Sequence, residues 1–138
     1  MTVWRRVGLG VLFSGLLAAC GTVPYTQRSQ LMTISNVEEV ELGEVAFQEV
    51  KSGAYLIDDS RLRLIRRVGE RIAAAAGRDD FRWEFILIER EEANAFALPG
   101  GKVVFYSGIL PYCVNDDGTA AVMAHEVAHV LARHGAER

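Results

Sequence analysis

Apolar residues in this chain first run together, then recur at helical steps, then alternate, and finally crowd onto one last helix. Val7 to Ala19 is an uncharged, largely apolar run of thirteen residues behind Arg5 and Arg6. That is too short to cross a bilayer of roughly 30 Å as a helix, but it suits the core of a signal peptide. Residues 21–34 hold Pro24 and several Ser, Thr and Gln without a clear period, so a tether is expected there. Ser35 and Glu38 stand at capping-box spacing. Val37, Val40 and Val45 then follow at helical intervals with acidic residues set outward, predicting a helix to about Lys51 that Ser52-Gly53 ends. Asp58-Asp59-Ser60 caps the next element. Leu62, Ile65, Val68, Ile72 and Ala75 recur at three- and four-residue steps, an amphipathic helix stopped by Gly77.

The period then changes. Over residues 82–89, Trp83, Phe85 and Leu87 share one face, which predicts a strand. Two β-prone runs flank Pro99-Gly100-Gly101 and predict a hairpin across 94–106. Asn115 to Thr119 reads as a polar loop and cap. A helix is expected from near Thr119 to about Gly135. It is apolar almost all round, which predicts central burial. Two helices, a small sheet with a hairpin and a last helix define an α+β fold.

Half the residues are hydrophobic and 24% are charged, a globular composition, and 138 residues allow one domain. The formal charge of −3 gives no reason to expect nucleic acid as a partner. Leu17-Ala18-Ala19-Cys20 resembles the bacterial lipobox, in which the Cys is lipidated and begins the mature chain. The expected organisation is a signal peptide over 1–19, a tether over 20–34 and a folded part over 35–138. Loss of residues 1–19 leaves 13 positive against 18 negative side chains, a net −5, so membrane attachment would rest on the lipid at Cys20. The other cysteine, Cys113, lies in an apolar stretch and reads as a small buried hydrophobe rather than a catalytic thiol. Five arginines between Arg61 and Arg71 crowd the polar positions of the second helix. In an acidic chain they read as a solvated face paired with nearby carboxylates rather than an anion site.

The chemistry concentrates in the last helix, at His125-Glu126-Val127-Ala128-His129. Four residues on an α-helix turn through about 400°, so His125 and His129 lie within about 40° of each other. Two neutral imidazoles on one face can hold one zinc ion. Glu126 is about 100° round from His125, too far to be an easy third ligand but placed to take the proton of a metal-activated water. His134 lies about 140° round from His129 and cannot join the same metal from an undistorted helix. It is expected to hydrogen-bond near the helix end, with support of a ligand histidine from behind as the alternative.

Asn94-Ala95-Phe96-Ala97-Leu98-Pro99-Gly100-Gly101, then Ser107-Gly108-Ile109-Leu110, then His125-Glu126-Val127-Ala128-His129 with His134, resemble the zinc metallopeptidase family of the CAAX prenyl proteases and the mitochondrial Oma-type protease. The bacterial periplasmic lipoprotein branch is the more similar, and the likeness covers roughly Ser35 to Arg138. The resemblance implies a gluzincin-like fold, one zinc ion per chain on His125 and His129, and Glu126 as catalytic base. It also implies that Asn94, Ala95, Phe96 and Ala97 lie along the cleft, where an extended substrate pairs with the strand edge. It further implies an endopeptidase of the bacterial envelope that acts on misfolded or misassembled proteins. Gly21 follows Cys20 where an Asp commonly retains lipoproteins at the inner membrane, so the expected place is the outer membrane, facing the periplasm. The family's third zinc ligand is a Glu on a later helix. Glu137 cannot serve from the same straight helix, because eight residues past His129 rise about 12 Å. The expectation is therefore an incomplete domain, the N-terminal part of a longer product, with this chain inactive by itself. The alternative is a non-catalytic envelope lipoprotein acting as a chaperone or assembly factor.

Overall fold

The computed structural model describes residues 20–22, 29–31 and 34–134. The expected signal peptide lies outside the described residues. Within the expected tether, β1 (Cys20–Thr22) pairs antiparallel with β2 (Ser29–Leu31), a short ladder that the irregular composition does not announce. Among the described residues no helix is long and apolar enough to cross a membrane.

The expected helices form where their caps stand. In α1 (Asn36–Ser52), the Ser35 hydroxyl accepts from the Glu38 N–H and the Glu38 carboxylate accepts from the Ser35 N–H, the complete capping box. This helix turns a different stripe inward from the one its valines suggest. Glu39, Gly43 and Phe47 are buried, whereas Val37, Leu42 and Val45 stay exposed. The reason is local. A Cβ on Gly43 would collide with the Pro99 carbonyl, so only glycine lets the helix backbone settle onto the hairpin turn. Phe47, fully buried one turn further, secures that face with roughly 1.5–3 kcal/mol of apolar burial.

In α2 (Ser60–Ala76), the Asp59 carboxylate caps the Arg61 N–H, and Gly77 closes the helix in the left-handed conformation at φ +60°. Three of its five arginines make ion pairs. Arg61 meets Asp59 and Glu89, Arg66 meets Asp58, and Arg67 meets Asp116 at 2.7 Å.

A four-stranded sheet runs in the order β3 (Leu56–Ile57), β4 (Glu84–Ile88), β6 (Lys102–Tyr106), β5 (Ala95–Leu98). The two-residue β3 was not expected. β5 and β6 form the expected antiparallel hairpin, with Gly100 and Gly101 at φ +86° and +84° in its turn. It joins the sheet through β6, which runs parallel to β4 and leaves β5 at the edge. Helices cover both faces. Phe85, Leu87, Val103 and Phe105 pack toward α2 and the last helix, while Ile86, Ile88, Val104 and Tyr106 pack toward α1. This two-sided burial is why β4 and β6 read as continuous apolar runs.

After β6 a 3₁₀ turn (Ser107–Ile109) and the short helix α3 (Leu110–Cys113) lead to Val114, at φ +63° and ψ −46°. The Asn115 N–H closes a γ-turn on the Cys113 carbonyl and turns the chain into the last helix, α4 (Asp116–Leu131). Cys113 is buried as expected, and burial pushes its thiol above its ordinary range. At neutral pH the native protein should therefore leave Cys113 unmodified by a thiol-specific alkylating reagent. Mass spectrometry should find the adduct only after denaturation, and prompt native labelling would contradict the buried position.

A candidate metal-binding active site

The helix that carries the candidate chemistry begins three residues earlier than expected, because Asn115 is its cap. The Asn115 Oδ1 accepts from the Gly118 N–H, and Asp116 and Asp117 occupy the first turn, where the helix dipole favours negative charge. Thr119, almost fully buried, donates its hydroxyl to the Asn115 carbonyl. One side of α4 rests on α2 and β5. Met123 and Val127 enter the core from this side, one turn apart.

Among the described residues, the burial expected of α4 from its composition is met on one side. Ala121, Ala124, His125, Ala128 and His129 are exposed. Among the described residues only the side of Thr119, Met123 and Val127 is covered, and alanines can line an open side because each exposes little apolar area. The histidine pair therefore stands on an open helix face.

The pair itself is arranged as its spacing requires. The Nε2 atoms of His125 and His129 are 3.1 Å apart, and the rings stand at 88° with centroids 4.6 Å apart. Two zinc–nitrogen bonds of about 2.0–2.1 Å at a tetrahedral angle span about 3.3 Å between nitrogens. The donor set, two imidazoles with converging nitrogens, fits a zinc ion. Glu126 is half-buried on the same turn, off the histidine face. Among the described residues no group of three or more His, Cys, Asp or Glu side chains is placed to hold one metal ion. The expected third ligand is not among them, and Glu137 lies outside the described residues.

Helix α4 also ends four residues earlier than expected. Arg133 takes φ +54°, its N–H bonds the Val130 carbonyl, and the His134 N–H bonds the His129 carbonyl, a Schellman closure without glycine. The Arg133 side chain holds this turn. Its Nε donates to Glu39 Oε2 at 2.6 Å and its terminal nitrogen donates to the Ile34 carbonyl at 3.1 Å. The turn brings His134 beside His129, with the two Nδ1 atoms 2.7 Å apart. The angular argument from an undistorted helix missed this contact because the helix stops before His134. The signal for it was absent, since the left-handed residue is an arginine.

Strand β5 packs across α4 and forms the sheet edge. Ala95 and Ala97 face the α4 side, whereas Phe96 turns to the other face and meets Tyr106 edge-on at 5.9 Å. Asn94 precedes the strand. Its carbonyl accepts from the Tyr106 N–H and its amide lies 3.3 Å from Glu92. The segment Asn94–Ala97 and the histidine helix are thus neighbours, and the free resource of the segment is the main chain of an edge strand. Cys20 lies in β1, apart from these elements in the chain order.

An α+β fold with a His-Glu-x-x-His helix packed against an edge strand is the architecture of a zinc-dependent metallopeptidase. The chain belongs to peptidase family M48, whose family model matches residues 59–138. It is 38% identical over 139 residues to the mitochondrial metalloendopeptidase OMA1 of Schizosaccharomyces pombe, covering 92% of this chain and 41% of that protein. It is 36% identical over 151 residues to the OMA1 of Saccharomyces cerevisiae, covering 96% and 44%. It is 33% identical over 134 residues to the beta-barrel assembly-enhancing protease of Escherichia coli, covering 96% and 28%. The chain spans less than half the length of these curated relatives.

Proposed function

We propose that this chain carries the zinc-binding and proton-transfer half of an endopeptidase of the bacterial cell envelope. The proposed enzyme hydrolyses peptide bonds in misfolded or misassembled proteins. The observation that carries the reading is the 3.1 Å convergence of the His125 and His129 Nε2 atoms on an open helix face. When bound there, zinc supplies Lewis acidity toward water and the scissile carbonyl. Glu126, off the ligand face, takes the proton of the attacking water and returns it to the leaving amine. The sheet edge from Asn94 to Ala97 binds an extended substrate through main-chain hydrogen bonds, next to the histidine helix.

A catalytic zinc of this type takes three protein ligands. The reading assigns the third to a glutamate outside the described residues, so residues 20–134 by themselves should hydrolyse nothing. A lipid on Cys20 is the proposed anchor, holding the protein to the outer membrane on its periplasmic side. The Leu17-Ala18-Ala19-Cys20 run behind an apolar segment supports it. The relatives' names, a mitochondrial metalloendopeptidase and a beta-barrel assembly-enhancing protease, support peptide hydrolysis.

The test is metal-dependent cleavage. A purified protein that includes this chain should hold one zinc ion per chain by elemental analysis and fragment an unfolded polypeptide. Chelation should stop the cleavage and added zinc should restore it. Cleavage that continues in the chelated, zinc-free protein would overturn the proposal.

A further inference from the structure

We propose that His134 is a positioning residue for the metal site: it accepts a hydrogen bond from His129 and so fixes which nitrogen of His129 faces the metal. The inference rests on the assignment of His125 and His129 as ligands. Its observations are the 2.7 Å contact between the Nδ1 atoms of His129 and His134 and the 3.1 Å contact between the Nε2 atoms of His129 and His125. His129 thus has one neighbour at each ring nitrogen. His134 is not itself a ligand candidate for the same ion, because it approaches the edge of the His129 ring opposite the converging Nε2 atoms.

A neutral imidazole carries one N–H and one lone pair. A ligand nitrogen must offer its lone pair, so binding through Nε2 places the His129 proton on Nδ1. Among the described residues, the partner at that proton is the Nδ1 of His134. His134 must then accept at Nδ1 and keep its own proton on Nε2. Outer hydrogen bonds of this kind set the tautomer and the ring orientation of ligand histidines, and their loss commonly weakens metal binding 10–100-fold. An acceptor matters here because His129 is exposed, so water would otherwise compete for the N–H and leave the ring free to turn.

The backbone makes the contact a built one. The left-handed turn at Arg133 and the His134 N–H bond to the His129 carbonyl hold the two residues together through the main chain as well as through the rings. A regular helix would carry His134 about 140° away from His129.

The experiment measures zinc affinity of a purified protein that includes this chain by competition with a chromophoric chelator, with zinc alone as the ligand. His134→Ala should weaken binding about 10–100-fold. His134→Asn should recover most of the loss, because its Oδ1 lies at the same bond count from Cβ as the ring Nδ1 and can only accept. Nitrogen-15 NMR should show zinc-loaded His129 protonated at Nδ1 in the wild-type and Asn variants. Wild-type affinity in His134→Ala overturns the inference and leaves the ligand assignment standing. So does an Asn variant, folded by circular dichroism, that binds no better than Ala. Failure of the wild-type protein that includes this chain to take up zinc, or uptake unchanged by His129→Ala, overturns the ligand assignment and this inference with it.

Discussion

Replacing Glu126 with Gln should reduce peptide hydrolysis by about 10²–10⁴-fold or more while leaving zinc uptake unchanged, the range expected when a general base is lost. The two halves of this expectation come from different positions on one helix. His125 and His129 meet at their Nε2 atoms, and Glu126 is on the same turn but off their face. Gln keeps the volume and a carbonyl oxygen but cannot take a proton from water. The loss should fall on kcat with KM little changed, because the missing interaction exists only along the reaction path. Zinc content by elemental analysis and the rate of fragment release from an unfolded substrate measure the two halves separately. Undiminished hydrolysis in the Gln variant would refute Glu126 as the base. A wild-type protein that releases no fragments, yet suppresses aggregation as well as its Gln variant does, would favour the non-catalytic chaperone.

The parts of this architecture legible in the sequence are those set by local chemistry. Ser35 with Glu38, Asp59 and Gly77 fixed the bounds of α1 and α2 because a cap acts within three residues of itself. Pro99-Gly100-Gly101 fixed the hairpin because two successive positive φ angles exclude most side chains. The His125–His129 contact was legible because a four-residue step on a helix leaves little freedom.

Tertiary choices were not legible. The valine stripe of α1 lost to Glu39, Gly43 and Phe47 because of Pro99, over fifty residues away in sequence. The two-residue β3 exists only because β4 offers an edge to pair with. The composition of α4 records that its alanines are apolar but not which side is covered among the described residues. The end of α4 was missed for a related reason. A left-handed residue is announced by glycine, and here it is Arg133, held by partners from the far end of the chain.

That last device carries the second large effect. Glu39→Ala should destabilise the fold by about 3–5 kcal/mol, the range for breaking a buried ion pair from one side. Glu39 and Arg133 meet at 2.6 Å with side chains only 9% and 13% exposed, so the remaining guanidinium would be left in a poorly solvated place. The cost should therefore come mainly from the orphaned charge, and a double substitution exposes that. Arg133→Gly removes the guanidinium and also supplies the residue type that adopts φ +54° without steric cost. The Glu39→Ala, Arg133→Gly protein should be more stable than Glu39→Ala alone, against the usual expectation that two losses add. Denaturant midpoints at constant m-value give the comparison. A double variant as unstable as the sum of the single ones would show no coupling between Glu39 and Arg133 and would refute the ion pair as a source of stability. The two proteins should also differ at the site. In Glu39→Ala the turn at Arg133 loses a main restraint, so the 2.7 Å approach of His134 to His129 should loosen and zinc affinity should fall. In the double variant glycine holds the left-handed turn by itself, and the affinity should return toward that of the unsubstituted chain.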